Sequence, residues 1–173
     1  MKYLFLAIMA GICIYIGFMF SRKYKTRADF FQALVLLCQK FDVEINYSRE
    51  RLKNIFNGLD EKQKSKLHGI DNNFISFMNK ETPLERDFLF KNIKFLKEEE
   101  KDVIFMFFKS LGRSDVDSQS KEIKNFQARF ETLSSSAAVE NKKFGSLSIK
   151  LGIISGLVIV VLLIWQKGEN KWM

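Results

Sequence analysis

The sequence predicts an all-α protein, a helical bundle of five to six helices set between N- and C-terminal transmembrane helices. Three observations predict it. Uncharged apolar runs lie at both ends. Apolar residues in the interior recur at spacings of three and four. Helix breakers are scarce, with one Pro and 9 Gly in 173 residues.

Tyr3 to Phe20 carries no charge over 18 residues, about 27 Å of helix, which is enough to cross a hydrocarbon core. A cleaved leader fits poorly. Only Lys2 precedes the run, and Gly17-Phe18-Met19-Phe20 before Ser21 is too bulky for a small-x-small cleavage site. Residues 3–20 are therefore expected to be an uncleaved anchor. The second run, Leu151 to Trp165, covers only about 22 Å. Starting at Leu147, with Lys150 extending its amine towards the headgroups, it reaches about 28 Å. The expected division is an anchor at 3–20, a bundle at 21–146, a second span at 147–165 and a short external tail at 166–173. Trp165 and Trp172 suit an aromatic belt.

Orientation follows from positive charge. Arg22, Lys23, Lys25 and Arg27 follow the first run, against Lys2 before it. Lys142, Lys143 and Lys150 precede or enter the second, against Lys167 and Lys171 after it. Both runs therefore orient the middle towards the cytoplasm and both termini away from it. Arg22, Lys23, Lys25, Arg27 and Lys150 are the expected basic anchors at the membrane edge.

In the middle, Phe30, Leu34, Leu37, Phe41 and Ile45 predict a helix over 27–47, with no breaker between it and the first run. Ser48 can cap a short helix carrying Leu52, Ile55 and Phe56 and ending at Gly58. Leu67, Ile70, Phe74, Phe77 and Met78 predict a helix over 60–80. Thr82-Pro83-Leu84-Glu85 reads as a helix start with Thr82 as cap, Pro83 first and Glu85 closing a capping box. That helix presents Leu84, Phe88, Ile93, Phe95 and Leu96. Glu98 to Glu100 suit the start of the next, which carries Val103, Ile104, Phe107 and Leu111 and stops at Gly112. After Ser114 or Asp115 as N-cap, Val116, Gln119, Ile123, Phe126, Phe130, Leu133, Ala137, Glu140, Phe144, Leu147 and Leu151 alternate steps of three and four. One helix of about 50 Å running into the second span is expected, loosened near Gly145. An intramolecular core explains the stripe; an oligomeric coiled coil is the other explanation. The 18 Phe predict an aromatic core.

Composition argues against several function classes. The net charge is +8, but residues 22–143 hold 24 basic and 19 acidic side chains in mixed order, unlike the one-signed face of a nucleic-acid binder. Cys13 and Cys38 are too few for a zinc site and read as buried thiols. His68, the single His, has no clustered Cys or carboxylate beside it. Lys97-Glu98-Glu99-Glu100-Lys101-Asp102 reads as a solvated helix face. Ser118-x-x-Lys121 lacks the companion motifs of a penicillin-binding enzyme, and no phosphate-binding Gly loop occurs. The chain is expected to be non-enzymatic, without cofactor or metal. Gly152-x-x-x-Gly156 is the best interaction signal, because small residues four apart let membrane helices approach closely. Its partner is the first span, another copy of the chain or another protein.

Several segments carry a resemblance. Glu44-Ile45-Asn46-Tyr47 closes the first cytoplasmic helix. Leu111-Gly112-Arg113-Ser114-Asp115 is followed by Gln119. Lys150-Leu151-Gly152, then Gly156, opens the final span. With its anchor–helices–anchor layout, the chain resembles the stage III sporulation protein AB family along its whole length, with relatives often carrying Trp where Phe88 stands and Thr-Pro-Leu where Ser48-Arg49-Glu50 stands. The resemblance implies likeness to the cytoplasmic helical domains of inner-membrane platform proteins in type II secretion and type IV pilus machines. It implies a membrane platform subunit of a secretion-like sporulation channel complex, in the outer forespore membrane, docking a secretion-type ATPase on the mother-cell side. The expected partners are the lipid bilayer, that ATPase and other membrane subunits, with no nucleic acid; a homo-oligomer is left open. Leu111, Gly112, Arg113 and Asp115 are candidates for partner or helix packing, as are Gly152 and Gly156. The alternative is a basic membrane-surface or nucleic-acid-binding helical adaptor with no secretion role.

Overall fold

The computed structural model describes the backbone of residues 2–48, 52–79, 81–91, 93–112 and 115–169, with side chains from 8 to 162 apart from 47, 48 and 53. Arg113, Ser114, Trp172 and Lys171, and the side chains of Tyr47, Trp165 and Lys167, lie outside the described residues. Among these residues every regular element is helical, so the chain is all-α. The α-helices are α1 (Lys2–Val43), α2 (Leu52–Asn57), α3 (Glu61–Lys66), α4 (Ile70–Met78), α5 (Arg86–Leu89), α6 (Glu98–Ser110), α7 (Val116–Glu140) and α8 (Ser146–Glu169). Wider π-turns at Glu44–Ser48 and Asn141–Gly145 follow α1 and α7. The chain forms two compact units, one of Met1–Lys25 with Ala138–Met173 and one of Thr26–Ala137.

The Thr26–Ala137 unit is built around rings. Phe30, Phe31, Phe41, Phe56, Phe74, Phe107, Phe108 and Phe130 are all fully buried. Centroids of Phe74 and Phe108 lie 4.8 Å apart, Phe41 and Phe56 5.1 Å, and Phe107 and Phe130 5.3 Å. Edge and tilted contacts of this kind are favoured by the ring quadrupoles and add to the burial of large apolar area. The α7 stripe supplies Ile123, Phe130 and Ala137 to this core, with Phe126 and Leu133 packed against it.

Two expected helices differ. The helix over 60–80 is two, because Glu61–Lys66 is polar throughout and buries nothing. The chain turns at Leu67–Gly69, with His68 at φ 52° and Gly69 at φ 83°, so that Leu67, Ile70 and Phe74 reach the core. Gly takes that left-handed conformation without steric cost. His68 is exposed and packs edge-on with the Phe95 ring at 5.0 Å; partial burial lowers its pKa.

The helix expected from Thr82 is a single turn starting at Arg86, with Glu85 at its N-cap and no side-chain cap. The Thr82 hydroxyl is buried without a hydrogen-bond partner among the described residues. Asn73 of α4 explains the early stop. Its Nδ2 donates to the carbonyls of Phe88 (3.2 Å) and Leu89 (3.1 Å), which a longer helix would use. The Ile93 N–H turns instead to Phe90 O at 2.9 Å.

α6 starts where the acidic run predicts, but the run is not all solvated. Glu100 is buried, and its Oε2 accepts from the Lys97 N–H at 2.9 Å. Its carboxylate also forms an ion pair with the buried Arg27, whose Nε lies 3.1 and 3.2 Å from its two oxygens.

Candidate helix pair and signature corner

In the Met1–Lys25 and Ala138–Met173 unit, small residues on α1 meet small residues on α8. Ala10, Gly17, Gly145, Gly152 and Gly156 are buried. A Cβ added at Gly17 would stand 2.6 Å from Ser148 O and 3.1 Å from the Gly152 Cα, and one at Gly152 would stand 3.1 Å from Cys13 O. One at Gly156 would meet Ile14 at 3.2 Å and Ala10 O at 3.5 Å. No side chain fits between backbones this close, so glycine is required for the approach itself. Of the three partners open to Gly152 and Gly156, the structure shows the first apolar run, on α1. Around this seam the apolar side chains point outward: Ile12, Ile16, Phe20, Leu151, Ile154 and Leu157 are among the exposed ones. Contiguous exposed apolar surface of this extent marks a membrane or protein contact. Among the described residues one helix, Val116–Leu162, is long and apolar enough to cross a membrane, with an 18-residue window of mean hydropathy 2.1.

Arg22, Lys23, Lys25 and Lys150 are exposed, whereas Arg27 belongs to the Thr26–Ala137 unit and is buried. Its place in a run of four cations gave no sign of this. Its spacing did: Arg27 precedes Phe30 and Phe31 by three and four residues, one turn from core positions.

The second constellation lies wholly in the Thr26–Ala137 unit. Leu111 is buried, and Gly112 ends α6 with φ 78°. A Cβ there would meet Leu52 at 3.3 Å. Asp115 then caps α7, its Oδ2 accepting from the Ser118 N–H at 3.3 Å. Hydrogen bonds from the Ser118 hydroxyl and N–H hold the Asp115 carboxyl below the usual carboxylate range. One turn on, Gln119 and Ser120 are buried. Ser120 Oγ donates to Asp42 Oδ1 at 2.5 Å. Asn46 Nδ2 donates to Asp42 Oδ1 (2.9 Å), Asp42 O (2.7 Å) and Ser120 Oγ (3.1 Å). Lys124 Nζ lies 3.5 Å from Asp42 Oδ2. The π-turn over Glu44–Ser48 places Asn46 for these bonds, and such turns often occur at functional positions. Beside them runs a groove of about 390 Å³ lined by Gln39, Asp42, Val43, Lys124, Ala128 and Glu131.

Asn46, in a segment that carried the resemblance, therefore meets Ser120, the neighbour of Gln119. The third such segment, with Gly152 and Gly156, is the seam against α1. Asp42, Ser120 and Gly17 were not singled out by sequence reasoning. Gly17 had a signal, since Ala10, Cys13, Gly17 and Ser21 recur on one face of a helix. Among the described residues no His, Cys, Asp and Glu cluster is arranged to hold a metal ion. Cys38 is buried, and burial and the Glu131 charge push its thiol pKa up, so it packs as a small hydrophobe.

A family model described as stage III sporulation protein AB matches residues 2–164. No curated protein and no solved structure matches the chain.

Proposed function

The chain belongs to the stage III sporulation protein AB family, and from that premise we propose that it is a two-pass membrane platform subunit of a secretion-like sporulation channel complex. In this reading the Thr26–Ala137 unit faces the cytoplasm and docks a secretion-type ATPase on the mother-cell side. The protein then sits in the outer forespore membrane with both termini away from the cytoplasm. It supplies no catalysis of its own and transmits the motion of its ATPase partner to the membrane.

The observation that carries the reading is the junction of the segment after α1 with α7 through Asn46 and Ser120 in the bundle unit, with a glycine seam in the other unit. A seam of that kind stabilises a pair of membrane helices without help from water. The cations that follow the first apolar run favour a cytoplasmic bundle. Affinity capture of the full chain from membranes of sporulating cells should co-purify the ATPase. Arg113→Glu should reduce ATPase capture and spore formation while leaving the melting temperature nearly unchanged. Intact capture and sporulation would remove the turn from the docking surface. Labelling of Ser65→Cys in intact cells by a membrane-impermeant thiol reagent would place the domain outside and overturn the ATPase reading with it.

A further inference from the structure

The α1–α8 unit holds a ring of cations whose charge has no role in the helix seam. The contacts across that seam fix an antiparallel register. Gly17 lies against Gly152, Ser21 against Gly145 and the Tyr24 ring against that of Phe144, with centroids 5.9 Å apart. That register sets Arg22, Lys23 and Lys25 at the same level as Lys142 and Lys143. All five are exposed. The seam takes the Gly17, Ser21 and Tyr24 side of α1, which leaves the cations to the rest of its circumference. On one side of this level the exposed surface is apolar, from Ile8 to Phe20 on α1 and from Leu147 to Leu162 on α8. Lys150 stands about 10 Å further along that apolar side. Phe144 is itself exposed, with the Lys143 amine 5.2 Å above its ring, and Arg22 stacks 5.7 Å from the Phe18 ring.

We propose that this ring of Arg22, Lys23, Lys25, Lys142 and Lys143, with Tyr24 and Phe144, is a headgroup site for anionic phospholipids. The proposal rests on the membrane-embedded reading above and adds a lipid class to it. Cations on two helices at one level, bordering an apolar surface, match the phosphate plane of a bilayer. Rings with an apolar body and a neighbouring cation belong at that depth. A nucleic acid would match the charge but not the adjoining apolar surface. The wide turn over Asn141–Gly145 presents Lys142 and Lys143 together while keeping Gly145 on the seam, where a Cβ would stand 3.5 Å from Ser21 Oγ. Each cation near an anionic surface strengthens binding by about fivefold, so five acting together give strong preference over a zwitterionic lipid.

The test uses the full chain purified in a neutral detergent, with native mass spectrometry of lipid retained from mixed phosphatidylglycerol and phosphatidylcholine micelles. Phosphatidylglycerol should be retained at least tenfold over phosphatidylcholine, and less at high salt. The variant Lys25→Gln/Lys142→Gln/Lys143→Gln should lose most of that preference, and Lys25→Arg/Lys142→Arg/Lys143→Arg should keep it. An unchanged helical circular dichroism spectrum in both variants separates lost binding from lost fold. Equal retention of the two lipids would overturn the proposal. So would a preference that survives the glutamine variant, or stronger retention of a single-stranded RNA oligonucleotide than of phosphatidylglycerol. ATPase capture is scored on the same samples; its loss with lipid preference intact would count against the platform reading alone.

Discussion

Between Thr26 and Ala137 the chain buries phenylalanine rings; in the unit built from Met1–Lys25 and Ala138–Met173 it buries glycines. The first arrangement removes large apolar area from water, at roughly 25 cal/mol per Å². The second depends on backbone surfaces that fit closely. One sequence thus follows two packing rules. Large residues inside and charges outside define the bundle. Small residues inside and large apolar residues outside define the helix pair.

The sharpest way to break that contrast is a change in the ring core. Phe107 lies 5.2 to 5.4 Å from the rings of Phe108, Phe126 and Phe130. Phe107→Ala should cost about 3–5 kcal/mol, a large part of the stability of a domain this size. Denaturant unfolding of the full chain in detergent, followed by circular dichroism, measures it. Spin labels at Ile12 and Leu157 should report an unchanged α1–α8 distance in the same variant. A change in both readouts would mean that the units do not obey separate rules.

The buried ion pair comes next. Glu100→Ala leaves the Arg27 guanidinium buried without its carboxylate and should cost about 3 kcal/mol. Arg27→Met/Glu100→Leu should recover most of that loss, since an apolar pair of similar volume is often neutral or stabilising. A double variant as unstable as the single would show that the pair fixes the geometry as well as its own charges.

Gly17→Leu tests the other unit. Its Cβ would stand 2.6 Å from Ser148 O, well inside ordinary contact at about 3.5 Å. The distance between labels at Ile12 and Leu157 should widen by roughly 2 Å or broaden. The bundle's unfolding midpoint should not move, and a shift comparable to that of Phe107→Ala would contradict the division.

Asp115→Ala should give the smallest effect. The folded pKa of this carboxyl is depressed by Ser118. Its stabilising contribution is therefore complete above the unfolded value of about 3.9 and disappears as pH falls through the folded one. The variant should unfold slightly earlier at pH 7 and converge on the parent as the pH falls through the depressed folded pKa. Parallel curves over the whole range would show that the cap does not titrate.

The sequence foretold long periodic elements well and short ones poorly, for a physical reason. α7 repeats its apolar step for 25 residues, so its face follows from local chemistry alone, while its cap was left between Ser114 and Asp115. The turn ending α6 at Gly112 was equally legible, because a single glycine between two capped helices has few other uses. The Thr82–Leu96 stretch misled because a tertiary contact decides it: the Asn73 amide takes two carbonyls that a helix would need. The Asp42, Asn46 and Ser120 network joins positions more than 70 residues apart, which no local spacing encodes. The partner of Gly152 was open for the same reason. A small-residue motif states that something comes close and does not state what.

Arg27 and Glu100 stand 73 residues apart, and that separation has a consequence in time. A ribosome adding about 5–20 residues per second releases Glu100 roughly 4–15 seconds after Arg27. In that interval Glu100 does not yet exist to neutralise Arg27, which counts as one more cation beside Arg22, Lys23 and Lys25. An emerging apolar helix is oriented by the positive charge that flanks it, so the nascent chain presents four such charges and the finished protein only three. The fourth is withdrawn into the bundle when α6 arrives, and it then links the end of synthesis of one helix to the folding of another.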